Sequence, residues 1–152
     1  MESDGGYVSA DLDQMFPDES GLVFIKELKS RNANHTTINN MAFSRTIKKI
    51  DCSKLKRIAT QWYDCYELTS IRLPELTSIA VTYAINCMPN LKEIYAPRLK
   101  SITNATSTFK GNTGIERVYF PELSSITGSY STFSMNASLS SVYMPSVISC
   151  NN

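Results

Sequence analysis

Side chains that could perform acid–base or nucleophilic chemistry are few in this chain of 152 residues, and they lie far apart. The single histidine, His35, lies in the polar stretch 31–37 with no aspartate or cysteine beside it. Glu75 and Glu122 each follow a proline in a repeated turn, which predicts solvent-facing carboxylates rather than the paired acid and base of a glycosidase. Gly-rich phosphate loops and Gly-x-Ser-x-Gly sequences are absent. We therefore expect no enzymatic activity and no cofactor.

The elements that position the remaining side chains come from a phrase that is repeated five times. Three clear copies read LTSIRLPELTSI, LKEIYAPRLKSI and IERVYFPELSSI, at residues 68–79, 91–102 and 115–126. Looser copies begin at positions 47 and 139, so the five copies start at positions 47, 68, 91, 115 and 139. Self-similarity at such a nearly constant period predicts a solenoid of stacked coils.

The apolar positions within each copy predict how a coil is built. With the first apolar residue as position 0, apolar residues recur at positions 3, 5, 8 and 11, and proline stands at position 6 in four copies. Positions 3 and 5 share one face of a strand, so pairs such as Ile71 with Leu73 and Val142 with Met144 should point inward. Proline lacks a backbone N–H and should end that strand. Stacked coils would then pair their strands in parallel.

Two further positions complete the repeated frame. Six residues before each of the last four copies stand Trp62, Ile85, Phe109 and Phe133. Three residues before the same copies stand Cys65, Met88, Asn112 and Asn136. Together with the phrase, this frame resembles the BspA-like class of leucine-rich repeats, whose unit reads roughly Ala-Phe-x-x-Cys-x-x-Leu-x-x-Ile-x-hydrophobic-Pro. The resemblance covers roughly residues 41–150.

The resemblance implies both a fold and a setting. The fold is mainly β with little α: a right-handed leucine-rich-repeat solenoid of about five coils, each of roughly 21–24 residues, with an N-terminal cap. The setting is a microbial surface or secreted protein that contacts host or neighbouring-cell proteins. Similar repeats also occur in bacteriophage structural and tail-associated proteins, so a virion component is the alternative.

The four cysteines fall in core positions of this frame or next to them. Cys52 and Cys150 occupy positions 5 and 11, Cys65 occupies an inward position, and Cys87 lies beside one. Cysteine behaves as a small apolar side chain in such positions, so we expect free buried thiols. Disulfides are the alternative that an even number of cysteines allows. Because no two cysteines have the spacing of a zinc knuckle, we expect no metal site.

Position 4 lies between two inward residues and should face solvent. Along the stack it reads Asp51, Arg72, Tyr95, Tyr119 and Tyr143, and position 2 beside it contributes Glu93 and Arg117. Because parallel strands lie about 4.8 Å apart, the three tyrosines should form a stacked, exposed row. Tyrosine and arginine are typical interface anchors, so these seven residues are the predicted ligand-binding site. Tyrosine as a favourable strand residue that stacks on its neighbours is an equally weighted alternative.

Charge is distributed unevenly along the chain although the formal net charge is only +1. The stretch 1–20 carries six acids and no base, whereas the stretch 21–60 carries nine bases and two acids. A basic patch on the first coil contains Lys48, Lys49, Lys54, Lys56 and Arg57. This patch is either a solvated face or a docking surface for an acidic partner. The near-neutral total argues against a nucleic-acid partner.

The predicted organisation has two parts. Residues 1–40 are a flexible acidic leader and N-terminal cap. Residues 22–28 suit a helix, a strand through residues 23–25 is an equal alternative, and residues 31–40 suit a loop. Residues 41–152 are the solenoid. The repeat reaches Cys150 without a polar cap, so we expect the protein to continue or another subunit to cover this end, with self-association as one such arrangement.

The expected function is a non-enzymatic protein–protein interaction or adhesion module. Its expected partners are host or neighbouring-cell surface proteins, or virion subunits in the alternative setting. The expected location is extracellular or at the cell surface, although no signal segment is visible in the acidic start of the chain. No apolar run has the length that membrane insertion requires.

Overall fold

The computed structural model describes residues 27–30, 37–38, 48–59, 61–128 and 130–151, and the side chains within 48–59, 61–128 and 130–148. The described residues form strands joined by turns, with no helix among them. The expectations for the acidic leader, for residues 22–26 and for His35 lie outside the described residues, as does the Cys150 side chain.

The strands are short, two to four residues each, and follow the copies of the phrase. In chain order they are β1 (Glu27–Ser30), β2 (Thr37–Ile38), β3 (Lys49–Cys52), β4 (Arg57–Ile58), β5 (Trp62–Tyr63), β6 (Ser70–Arg72), β7 (Ser78–Ile79), β8 (Ile85–Asn86), β9 (Glu93–Tyr95), β10 (Ser101–Ile102), β11 (Arg117–Tyr119), β12 (Ser125–Thr127), β13 (Ser141–Tyr143) and β14 (Ser149–Asn151).

These strands pair only in parallel, between the same positions of successive coils. One sheet has the order β1-β3-β6-β9 and a second has the order β14-β12-β10-β7-β4-β2, while β11 with β13 and β5 with β8 form two-stranded sheets. Ile50 pairs beside Ile71 and Ile71 beside Ile94, as the repeated position 3 requires. The predicted β-solenoid is therefore confirmed.

Two strands precede the first copy of the phrase and extend the stack. Leu28 of β1 pairs beside Ile50, and Ile38 of β2 pairs beside Ile58. The expectation of a loop through residues 31–40 is wrong at Thr37–Ile38. Polar composition predicts a loop, but the edge of β4 offers backbone partners that hold this short segment as a strand.

Each coil turns sharply where the phrase carries its proline. The Leu76 N–H donates to the Leu73 carbonyl at 3.1 Å. Leu99 makes the same bond to Ala96, and Leu123 makes it to Phe120. Such a bond defines a β-turn, in which proline suits the second position because its ring fixes φ in the range that this position requires. Leu55 makes the same bond to Cys52 without a proline, so proline favours the turn but is not required for it.

The core consists of the inward residues that the frame predicts. Positions 3, 5, 8 and 11 of the copies at 68–79, 91–102 and 115–126 are buried, and so are Trp62, Ile85 and Phe109. Each fully buried Leu or Ile contributes roughly 1.5–3 kcal/mol. Val142 shares the inward position of the frame, but its side chain is 44% exposed. Val142 lies beside Val118 in the ladder, but no described coil covers its other side.

The backbone repeats as faithfully as the apolar side chains do. Left-handed φ values of 55–73° occur at Asp64, Cys87, Gly111 and Met135, each four residues before a copy of the phrase. The residue that follows each of these is the inward Cys, Met or Asn of the frame. A left-handed residue reverses the direction of the chain, and this reversal turns the next side chain into the core.

Asn112 and Asn136 form an asparagine ladder at that inward position. The Asn112 carbonyl oxygen accepts from the Met88 N–H at 3.0 Å, and its amide donates to the Ile85 and Phe109 carbonyls at 2.8 and 3.0 Å. Asn136 repeats the pattern one coil later, on the Asn112 N–H and the Phe109 and Phe133 carbonyls. The amides thus supply hydrogen bonds to backbone groups that the turns leave unpaired.

Candidate functional site

The residues at position 4 lie on the outer side of the strands, as predicted. We call Asp51, Arg72, Tyr95, Tyr119 and Tyr143 the outer row. Asp51 pairs beside Arg72 and Arg72 beside Tyr95, while Tyr119 pairs beside Tyr143. Arg72 and the three tyrosines are exposed and Asp51 is half-buried. Alternation with buried neighbours fixes this orientation, because successive side chains of a strand point to opposite faces.

The contacts within the outer row divide it into two pairs. The Arg72 guanidinium carbon lies 4.4 Å from the centre of the Tyr95 ring, a cation–π contact. The Tyr119 and Tyr143 rings stack with centres 5.0 Å apart and planes 10° from parallel. The expected stack of three tyrosines is therefore wrong at its first step, because Tyr95 contacts Arg72 and forms no ring contact with Tyr119.

A break in the strand ladder separates the two pairs. β9 and β11 lie next to each other without being paired, whereas β6 pairs with β9 and β11 pairs with β13. On the N-terminal side of the break, the Leu73 N–H donates to the Tyr95 carbonyl at 2.8 Å. On its C-terminal side, the Phe120 N–H donates to the Tyr143 carbonyl at 3.0 Å. Between the described residues of β9 and β11, the equivalent bond from Ala96 to Tyr119 is missing.

The break opens a cleft of about 510 Å³ on the outer face. Tyr95 and Tyr119 line it, with Ile94 and Pro97 as apolar lining. Ile94 is 8% exposed, whereas its counterpart Ile71 in the unbroken part of the sheet is 1% exposed. The cleft therefore lets solvent reach core side chains that a closed ladder covers.

Four charged side chains form the rim of the cleft. Lys92 and Glu93 come from one coil, and Glu116 and Arg117 from the next. Within the described part of the chain none of them forms an ion pair, although Glu93 and Arg117 occupy the same position of successive coils. In a paired ladder these two opposite charges would be direct neighbours about 4.8 Å apart.

The sequence did not point to all of these residues. It placed Glu93 and Arg117 in the predicted site, and the structure brings both to the cleft. Lys92 and Glu116 were missed, as were the apolar lining residues Ile94 and Pro97. These residues line the cleft only because the two strands are unpaired there. The copies at 91–102 and 115–126 have the same apolar frame as the other copies, so the frame does not indicate the break.

The basic patch is partly neutralised by acids of the next coil. Lys48 lies 3.6 Å from Glu67, and Lys54 lies 2.9 Å from Glu75. The hydrogen bond that Lys54 donates lowers the pKa of the Glu75 carboxyl, and the charge of Lys54 acts in the same direction. The other three predicted members, Lys49, Lys56 and Arg57, are exposed.

The cysteines have two different environments. Cys52 and Cys65 are buried thiols, as predicted. Burial raises the pKa of the Cys65 thiol and the Asp64 carboxylate raises it further, so this thiol is a poor nucleophile. Cys87 is also a thiol but exposed, which corrects the expectation of burial. Cys87 occupies the left-handed position, so Met88 takes the inward place instead.

Two further properties bear on function. Among the described residues, no three His, Cys, Asp or Glu side chains gather closely enough to hold a metal ion. The described part of the chain also contains no helix with the length and apolarity that a bilayer crossing requires.

Similarity to known proteins is found at the level of the repeat. A family model described as BspA type leucine-rich repeat region matches residues 36–151 in six copies. No curated protein and no solved structure matches the chain.

Proposed function

The chain belongs to the BspA-type leucine-rich repeat family, and from this premise we propose that it is a non-enzymatic interaction or adhesion module whose outer row binds a protein partner. The family is typically non-enzymatic, and its repeats support protein–protein interaction. The coils supply a rigid scaffold, so the function resides in the side chains that vary on its exposed face.

The observation that carries this proposal is the pre-ordered outer row. Its tyrosines are exposed, yet Tyr95 is held by Arg72 and Tyr119 by Tyr143. Tyrosine supplies a large contact area with only two side-chain torsions, and a ring already fixed by a neighbour loses little further freedom on binding. Arg117 and Glu93 beside the row offer charged hydrogen bonds to the same partner.

The setting that we propose is the microbial cell surface or the secreted fraction, with host or neighbouring-cell surface proteins as partners. A bacteriophage virion or tail component is the alternative, with virion subunits or a receptor as partners. Both settings use the same exposed face. Immunodetection in the producing cells distinguishes them: surface and medium labelling supports the first, and co-sedimentation with purified virions supports the second.

The binding surface is tested by selection with competition. A displayed library of random peptides is selected on the immobilised chain, and each binder is then measured on Tyr95→Ser, Tyr119→Ser and Tyr130→Ser variants. Tyr130 is the matched control because it is 63% exposed, close to the 57% of Tyr119, but does not belong to the outer row. We expect binders to weaken on the first two variants and to be unchanged on the control.

The selection also has a result that would overturn the proposal. Binders that retain full affinity for the Tyr95→Ser and Tyr119→Ser variants, while those variants keep the far-ultraviolet circular dichroism of the unmodified chain, would place the binding surface elsewhere. In that case the outer row would be a structural feature of the strands.

A further inference from the structure

We propose that the cleft between β9 and β11 takes one flat, uncharged aromatic side chain of the protein partner, inserted between the rings of Tyr95 and Tyr119. This inference rests on the proposed function, because it names the group by which the partner is anchored. Interfaces commonly gain most of their affinity from a few such anchors in desolvated pockets.

Both rings line the cleft, and each has a neighbour on the side away from it. Arg72 covers one face of Tyr95 from the coil on one side, and Tyr143 covers one face of Tyr119 from the coil on the other. Neither Arg72 nor Tyr143 lines the cleft, so the opposite face of each tyrosine is the one left for an occupant. An inserted ring would join the pair of Arg72 and Tyr95 to the pair of Tyr119 and Tyr143, which make no ring contact with each other.

Spacing explains why the break is needed for this insertion. A ring between two others needs about 3.5–4.0 Å on each side, so the flanking rings must stand about 7–8 Å apart. A paired ladder holds neighbouring side chains about 4.8 Å apart, which leaves no room. Tyr119 and Tyr143, with centres 5.0 Å apart, show this closed arrangement. Where the ladder is unpaired, the strands no longer impose that spacing.

The size and lining of the cleft suit a ring together with its adjoining backbone. Its volume of about 510 Å³ falls within the range of roughly 300–1,000 Å³ that is usual for binding pockets. Ile94 and Pro97 supply apolar contact beside the two tyrosines.

The charges on the rim argue for a neutral occupant. Lys92 and Arg117 are balanced by Glu93 and Glu116, so neither an anion nor a cation gains a net attraction. A phosphate would meet two carboxylates, and a guanidinium would meet two cationic groups. The N–H of tryptophan or the O–H of tyrosine, in contrast, can donate to a rim carboxylate while its ring stays between the tyrosines.

N-acetyltryptophanamide is the probe for this pocket, titrated into the isotope-labelled chain and followed by NMR. We expect saturable shifts of the Tyr95 and Tyr119 ring signals and the Ile94 methyl signals, with a Kd of about 1–10 mM for so small a ligand. Tyr119→Ser should weaken binding roughly tenfold by removing one stacking face, and Tyr130→Ser should leave it unchanged. Tyr95→Leu is the second variant if Tyr119→Ser loses the dispersed spectrum of the folded chain.

Three outcomes would overturn the inference. The first is an absence of shifts at the cleft, and the second is unchanged affinity in both folded row variants. The third is equal or tighter binding of N-acetylprolinamide or methyl glucoside at the same signals, which would assign the pocket to a proline ring or a sugar. Selected peptides that still map to the outer row would leave the proposed function standing in each of these cases.

Discussion

Between the copies at 91–102 and 115–126, two faces of the same pair of coils behave differently. In the six-stranded sheet β10 pairs with β12, with Ser101 beside Ser125 and Ile102 beside Ile126. On the outer face β9 and β11 are unpaired and a cleft separates their side chains. The coils therefore stay stacked through one sheet and the asparagine ladder, which leaves the outer face free to open.

The difference teaches which contacts hold the solenoid together and which are available for binding. Asn112 bonds across the coil boundary from within the core, where its amide is fully buried. The Tyr119 side chain, in contrast, contacts the next coil by ring stacking at the surface. Buried hydrogen bonds are costly to lose, whereas an exposed cross-strand pair contributes roughly 0.2–1 kcal/mol.

The strongest test of this comparison is Asn112→Ala. The change removes three hydrogen bonds and leaves the Met88 N–H and two carbonyls without their side-chain partner. We expect a loss of about 3–5 kcal/mol in the free energy of unfolding, measured by urea denaturation.

Asn136→Ala is the matched control for that test. Asn136 makes the same set of bonds but is only half-buried, so water can replace part of what is lost. Its cost should be about half that of Asn112→Ala. Equal, small effects in both variants would contradict the assignment of the asparagine ladder as a main support of the stack.

The outer row should behave in the opposite way. We expect Tyr119→Ser to lower the free energy of unfolding by about 1 kcal/mol or less, because the ring is exposed and its stack with Tyr143 is a surface contact. In a chain of this size that corresponds to a shift in Tm of about 2–4 °C at most, measured by circular dichroism. A loss as large as that of Asn112→Ala would make the row part of the core support.

The smallest expected effect concerns pH and the pair of Lys54 with Glu75. The pKa of the Glu75 carboxyl is lower in the folded chain than in the unfolded chain, so this carboxylate stabilises the fold above the unfolded pKa of about 4.3. The stabilisation is lost as pH falls through the folded pKa. Lys54→Met should therefore remove part of the stability difference between neutral and acidic pH. The change is measured by thermal unfolding of the unmodified chain and of the Lys54→Met variant between neutral and acidic pH. An identical pH dependence of Tm in the two proteins would contradict the prediction.

The sequence predicted the parts of the fold that depend on side-chain type. The burial of Ile71, Ile94 and Val118 follows from their apolar side chains and their spacing along a strand. The same alternation predicts that the residues of the outer row face solvent. Cys87 could not be placed in this way, because its exposure follows from a left-handed backbone position that no glycine marks. The frame alone could not separate Val142 from Val118 either, since exposure there depends on what covers the coil.

The cleft was beyond prediction for a different reason. The general strand spacing of about 4.8 Å applies only where neighbouring strands form a ladder. The copies on either side of the break satisfy the same frame, and the break coincides with a change of the core residue at position 5 from Ala96 to Phe120. Whether two neighbouring strands form a ladder depends on how all the side chains of both coils pack. The residue types at the repeated positions alone do not determine that packing.

The asparagine ladder has a consequence for how the protein is made. Asn112 supplies an acceptor to Met88, and Asn136 supplies one to Asn112, each 24 residues earlier in the chain. Synthesis proceeds from the N-terminus, so a coil emerges from the ribosome before the residue that completes its hydrogen bonds, 24 positions later, has emerged. Each turn of this part of the solenoid is therefore finished by its successor, and folding during translation should lag one repeat behind the growing chain.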